Sequence, residues 1–373
     1  MTEADSEELA TGNGLFQNMA MFLASIRRKL ELPSHFNLAH ILYGLSLLGV
    51  FVRLALFVIY EPYLEGDTEI LITSVKTIRR CLSEGRFLGC SFAVPFPLLQ
   101  YVPDIVLSYL GFSESAILHF LAYLSFLAFL ASIALVFWTL KRKATKVMAM
   151  TAALVMLTGP LLWYSHSTYS EMLAAFLILA FTAASLFRVE NKFLIPLFFL
   201  AGVTKEVAFP FLLVIGGLCL LPEIVTAPGK IKGRLYGLLT GAALTVLANV
   251  AFNYFRYGTY YDAAHLTELY IVPTLRLHLS FFLAMWFSPY GGLLFFWPSF
   301  VLLYFSVLGL MFIRGASWKK RHVERDQEPS QRLIFYLPII IISLVLILLT
   351  AGFSRWCTLL GGAAWGPRYI LPW

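Results

Sequence analysis

The run Phe36-Asn-Leu-Ala-His-Ile-Leu-Tyr-Gly-Leu-Ser-Leu-Leu-Gly-Val-Phe-Val-Arg-Leu-Ala-Leu-Phe-Val-Ile-Tyr60 decides the fold class of this chain. A helix needs about 20 mostly apolar residues to cross the hydrocarbon of a bilayer. This run meets that length, and it is too long for the core of a signal peptide, so it reads as an uncleaved first span. It breaks into Glu61-Pro-Tyr-Leu-Glu-Gly-Asp-Thr-Glu69, where Glu65, Asp67 and Glu69 crowd together. Four cations follow at Lys76, Arg79, Arg80 and Arg86. No other part of the chain sets so many acids beside a span.

The rest of the chain has the same character. It is 59% hydrophobic and 13% charged, with a mean hydropathy of +0.78. Soluble domains carry roughly 25% charged residues. The sequence therefore predicts an all-α, polytopic membrane protein, with spans near 36–60, 114–140, 144–164, 169–188, 192–203, 207–222, 234–253, 291–314 and 332–352. The fifth and sixth are short and are parted only by Thr204-Lys-Glu206. Residues 1–35 form a cytoplasmic N-terminal segment, and 36–373 form one transmembrane module.

Basic residues set the orientation. With the N-terminus inside, the inner segments hold eighteen of the 28 lysines and arginines, and the outer segments nine; Arg53 lies within the first span. The acids divide almost evenly, so only the cations are biased, as the positive-inside rule requires. The net charge of +7 is thus a topological signal rather than a nucleic-acid one. The outer face receives the longer, aromatic loops 61–113, 254–290 and 353–373. In the first, Ile70, Leu71, Val75, Ile78 and Leu82 share one face of a helix, and Lys76, Arg79 and Arg80 another, the pattern of a helix lying in the interface. Trp286, Trp297, Trp356 and Trp365 suit an outer aromatic belt.

Several side chains have chemistry to offer. A carboxylate just above the bilayer, partly desolvated, can take a proton from a hydroxyl; Glu65, Asp67 and Glu69 are the candidates, against a reading as solvated loop acids. Lys205 interrupts an apolar stretch and can hold a phosphate as a compact cation, or can be half of a solvated turn with Glu206. Arg256, in Asn253-Tyr-Phe-Arg-Tyr-Gly258, and Arg368, in Gly361-Gly-Ala-Ala-Trp-Gly-Pro-Arg-Tyr369, can grip a phosphate bidentately or snorkel to headgroups. Glu171, in His166-Ser-Thr-Tyr-Ser-Glu171, is read first as part of a helix start and second as a sugar contact. Cys81 and Cys90 share the first outer loop and are read as two unpaired small residues, with an extracytoplasmic disulfide as the alternative. His119, His265 and His278 have no ligand spacing. No cofactor is expected; a divalent cation is compatible with the chemistry and is not indicated.

Taken in order, these pieces resemble the GT-C superfamily of polyprenyl-phosphate-dependent glycosyltransferases, in the branch of protein-O-mannosyltransferases and lipid A aminoarabinose transferases. Val52-Arg-Leu54, Gly66-Asp67, Gly85-Arg-Phe87 and Pro95-Phe-Pro97 look like the end of that family's first span and its catalytic loop. Tyr169-Ser-Glu171 and Ala201-Gly-Val-Thr-Lys205 look like later span junctions. Asn253–Gly258, Phe287-Ser-Pro-Tyr-Gly-Gly-Leu293 and Trp365-Gly-Pro-Arg-Tyr369 look like its later outer motifs. The resemblance implies inverting transfer of a sugar from a polyprenyl-phosphate donor to an acceptor hydroxyl on the extracytoplasmic face of the cell (inner) membrane. Asp67 would be the base, with Glu65 and Glu69 as neighbours that could replace it. Lys205, Arg368 and Arg256 would hold the phosphate, and Glu171 and Tyr369 would touch substrate. Membrane lipid is an expected partner and nucleic acid is not; the acceptor is not identified. Thr68 separates acids that are often adjacent in the family. The family also continues past its Gly-Pro-Arg-Tyr motif, which implies a further span where this chain stops at Trp373. A transporter or lipid flippase, and a non-catalytic membrane scaffold, are the rival readings.

Overall fold

The computed structural model describes residues 38–60, 67–85, 98–143, 146–159, 161–165, 171–205, 208–226, 228–260 and 274–288, with isolated positions between 294 and 351. Every described element is a helix: α1 (Leu38–Ile59), α2 (Asp67–Ser83), α3 (Leu98–Tyr109), α4 (Glu114–Lys143), α5 (Lys146–Leu157), α6 (Leu161–Tyr164), α7 (Glu171–Leu186), α8 (Asn191–Thr204), α9 (Ala208–Thr226), α10 (Pro228–Tyr257) and α11 (Leu275–Phe287). Among the described residues three helices are long and apolar enough to cross a membrane: His40–Ile59, Glu114–Arg142 and Ile231–Tyr257. The other apolar helices, α8 among them, run to 10–17 residues. At 1.5 Å per residue, α8 is only about 21 Å long. The expected spans 291–314 and 332–352 lie mostly outside the described residues.

The long helices run alternately up and down, and their contacts sort their ends into two sets. At one end Trp138 of α4 meets Phe187 after α7, with ring centroids 4.5 Å apart. There Asn191 Nδ2 donates to the Gly233 carbonyl at 2.6 Å, and Arg234 donates to the Ser185 carbonyl at 3.2 Å. This tail end carries the basic connections. At the other end α1, α8 and α10 finish and α4, α7 and α9 begin. This head end holds α2 and α3, which lie between α1 and α4 in the chain. Phe57 near the end of α1 stacks on Phe126 of α4 at 4.2 Å, and both join a core with Leu157, Leu161, Tyr164 and Met172.

The tightest pairing is between α8 and α10, which run parallel. On α10, Gly233, Gly237, Gly241, Thr245, Asn249 and Asn253 recur every four residues. That spacing is one ridge of a helix, and small residues on it let backbones approach closely. A Cβ on Gly237 would meet Asn191 at 2.7 Å, and one on Gly241 would meet Phe198 at 2.9 Å. A Cβ on Gly202 would lie 2.5 Å from Cγ2 of Thr245. Thr245 cannot move aside easily, because it is wholly buried and its hydroxyl donates to the Gly241 carbonyl at 2.9 Å. Gly202→Ala is therefore expected to lower stability by about 1–3 kcal/mol through overpacking. Thr245→Ser, which removes the clashing methyl, should restore most of it. Unfolding midpoints of the two single variants and the double variant in detergent check this.

Two sequence expectations are corrected here. Trp297 is not a belt residue: it is 8% exposed and sits in the main core. Its Nε1 donates to the Val155 carbonyl at 3.2 Å, and its indole fills the space left by the missing side chain of Gly159. Trp286 is half-buried, and its Nε1 donates to Thr350 Oγ1 at 3.3 Å. Trp356 and Trp365 lie outside the described residues. Cys81, read as unpaired, is disulfide-bonded. Cys219 forms no disulfide, and Cys90 and Cys357 lie outside the described residues.

Candidate functional site

The acids at 65–69 belong to the start of α2. Asp67 is its first residue and Glu69 stands two positions further on, about 200° round the helix axis. Glu65 lies outside the described residues. The interfacial helix expected over Ile70–Leu82 is thus present and slightly longer. Its buried face is Ser74, Val75, Ile78 and Cys81, whereas Leu82 is exposed. This face does not rest on lipid alone. Val75, Ile78 and Cys81 pack with Ile117 and Leu121 of α4, Leu107 of α3, and Phe252 and Phe255 of α10. Phe252 and Phe255, on the last turns of α10, thus border the same cluster as the buried face of α2.

Arg256 is on those turns. Its side chain is wholly buried, so it is turned into the protein and does not snorkel. The guanidinium lies 5.7 Å from the Phe252 ring centroid and 4.4 Å from that of Tyr257, and it donates to the Tyr257 hydroxyl. A cation so enclosed gains from the ring faces around it. One turn earlier Asn253 is buried, and its Oδ1, like that of Asn249, meets no donor.

Lys205 caps the C-terminus of α8 and is half-buried. Its N–H donates to the Ala201 carbonyl at 3.3 Å, and its own carbonyl accepts from Ala208 N at 2.9 Å, forming the tight turn into α9. Asn249 Nδ2 reaches the Gly202 carbonyl at 3.5 Å. Arg256 follows Asn249 by seven residues, about 10 Å along α10. Lys205 and Arg256 thus stand at the same end of the bundle as α2. Glu171 is the first residue of α7, which also begins at this end. Arg368 and Tyr369 lie outside the described residues.

The sequence reading missed a second polar group beside α2. Arg79, placed on the solvated face, turns inward instead. It donates to Asp104 Oδ1 at 2.7 Å, to the Asp104 carbonyl at 3.3 Å and to Ser108 Oγ, while Ser108 Oγ donates to Asp104 Oδ1 at 3.1 Å. One turn away Lys76 Nζ is 3.0 Å from Glu114 Oε2. The sequence signal was available: Lys76 and Arg79 stand three apart on one helix, and Asp104 and Ser108 four apart on another. It went unread because pairing between helices cannot be seen from either one. These residues border a cavity of about 290 Å³.

Burial raises the Asp104 carboxyl above the usual carboxylate range, against the opposing pull of Arg79 and Ser108. A carboxyl with a raised folded pKa contributes stability below its unfolded pKa and loses it as the pH rises through the folded value. The parent protein is therefore expected to lose this contribution from about pH 4 upward. Asp104→Asn, which cannot ionise, should flatten that part of the curve. At neutral pH its stability should stay within about 1 kcal/mol of the parent, because the partly exposed Arg79 guanidinium remains solvated when its partner is neutral. Unfolding midpoints across the acid range measure both.

No group of three or more His, Cys, Asp or Glu that could hold a metal occurs among the described residues. Comparison of the chain with protein-family models, curated proteins and solved structures returned no match.

Proposed function

We propose that the chain is a membrane-embedded glycosyltransferase of GT-C type. In this reading it moves a sugar from a polyprenyl-phosphate donor to an acceptor hydroxyl on the extracytoplasmic face, with inversion. Asp67 takes the proton of the acceptor hydroxyl as its oxygen bonds to C1 of the sugar. The C1–O bond to the phosphate breaks, and the negative charge of the departing polyprenyl phosphate is met by Arg256, Lys205 and Arg368. Hydrophobic burial of the lipid chain supplies binding energy.

The observation that carries this reading is that α2, whose first residue is Asp67, and the turn of α10 that holds the buried Arg256 lie at one end of the bundle, with Phe252 and Phe255 of α10 packed on the cluster that covers the buried face of α2. The fold thus brings to one end an acid and a cation nearly 190 residues apart in sequence. The Cys81 disulfide supports the orientation independently of the basic-residue count, since disulfides persist on the oxidising side of a membrane. The test is the full chain in proteoliposomes, supplied with a labelled polyprenyl-phosphate sugar. Transfer of label to an acceptor on the α2 side is the expected result. Movement of the labelled lipid between leaflets without transfer overturns the proposal in favour of a flippase.

A further inference from the structure

The cavity of about 290 Å³ between α2, α3 and the start of α4 has no part in the mechanism above. We propose that it binds one neutral sugar ring. Its polar wall is made of Lys76, Arg79, Asp104, Ser108 and Glu114, with Phe112 at its side. Two cations face two anions in pairs of 2.7 Å and 3.0 Å, so the formal charges cancel. An anionic or cationic ligand would have to displace one member of a pair. A sugar diol need not: each hydroxyl donates to a carboxylate oxygen and accepts from a guanidinium or ammonium at once, leaving both pairs made. The cavity is at the lower limit of ordinary ligand pockets, which suits a single ring. The Phe112 side chain, 54% exposed, offers an apolar face to the C–H side of that ring. Pairs that served only to pin α2 would need neither an open cavity nor an exposed ring.

The raised pKa of Asp104 fits the same picture, since a partly desolvated carboxyl gains from a further hydroxyl donor. Lys76 and Arg79 follow Asp67 by nine and twelve residues, about 14 and 18 Å along α2. A ring held here is too far to react at Asp67, and would be a distal unit of an extended acceptor. That last assignment rests on the transferase reading; the binding itself does not.

The test uses the full chain in lipid nanodiscs and saturation-transfer NMR. The probes are methyl α-glucopyranoside and methyl α-mannopyranoside, with glucose 6-phosphate and glucosamine as charged counterparts. At least one neutral glycoside should bind more tightly than either charged sugar. Phe112→Ala should weaken it about two- to tenfold, and Asp104→Asn about tenfold or more, with unfolding midpoints near the parent's. The site is overturned if neither glycoside binds, if a charged sugar binds as well, if Phe112→Ala has no effect, or if binding falls only in step with the unfolding midpoint. Because the readout needs no donor and no transfer, its failure leaves the transferase reading standing, and failed transfer with intact binding removes that reading alone.

Discussion

Asp67→Asn is expected to lower sugar transfer by about 10²–10⁴-fold, the usual contribution of a positioned general base. The substitution keeps size and shape. It also keeps the start of α2, because Asn supports a helix N-terminus about as well as Asp. Donor affinity should hold, since the carboxylate acts on the acceptor rather than on the phosphate, so the loss should fall on kcat. Transfer rates of membrane preparations with a labelled lipid-linked sugar measure it. Full retained transfer removes Asp67 from the role and passes it to Glu65 or Glu69. Glu69→Gln should be nearly silent if Asp67 is the base, because two positions on a helix diverge and cannot serve one proton.

Arg256→Lys is expected to weaken donor binding by roughly ten- to a hundredfold, the range for a lost charge-assisted hydrogen bond. Lysine keeps the charge but not the planar fork that meets a phosphate through two parallel bonds. Arg256→Ala should lose at least as much affinity. It should also lower the unfolding midpoint, because the side chain is wholly buried against Phe252 and Tyr257 and its removal leaves a void. The donor KM separates the two roles. If Arg256→Ala lowers stability while Arg256→Lys leaves that KM unchanged, Arg256 is a packing residue, and the observation that carries the proposed function fails with it.

Much of the helix order was legible in the chain. The run at 36–60 and the apolar stretches between basic connections gave α1, α4 and α7 to within a few residues, and gave the middle of α10, which extends beyond the expected span at both ends. Each such helix is specified locally, by length and hydropathy. The amphipathic period at 70–82 likewise gave α2. What the period could not give was the depth of burial. Leu82 has the right spacing for the inner face and is exposed, while Cys81 is buried, since the partners on α4 and α10 decide which stripe is covered. The ridge from Gly233 to Asn253 was readable in principle. It was obscured because hydropathy counting treats glycine, threonine and asparagine as gaps, whereas between helices in a membrane they are the contact.

The candidate site divides in the same way. Residue type and spacing named the acids Glu65, Asp67 and Glu69 together with Lys205 and Arg256, because charge beside an apolar run is costly and marks itself; only the resemblance singled out Asp67. Composition and charge placement likewise set the all-helical class and the bias of the basic connections. Only the tertiary structure decided that α2 and the buried Arg256 share one end of the bundle, and that Arg79 pairs with Asp104. It also decided that Trp297 fills the gap at Gly159, and that Cys81 is bonded. Each of these depends on a contact between two segments, and the energy of such a contact is a property of the pair, absent from either stretch read by itself.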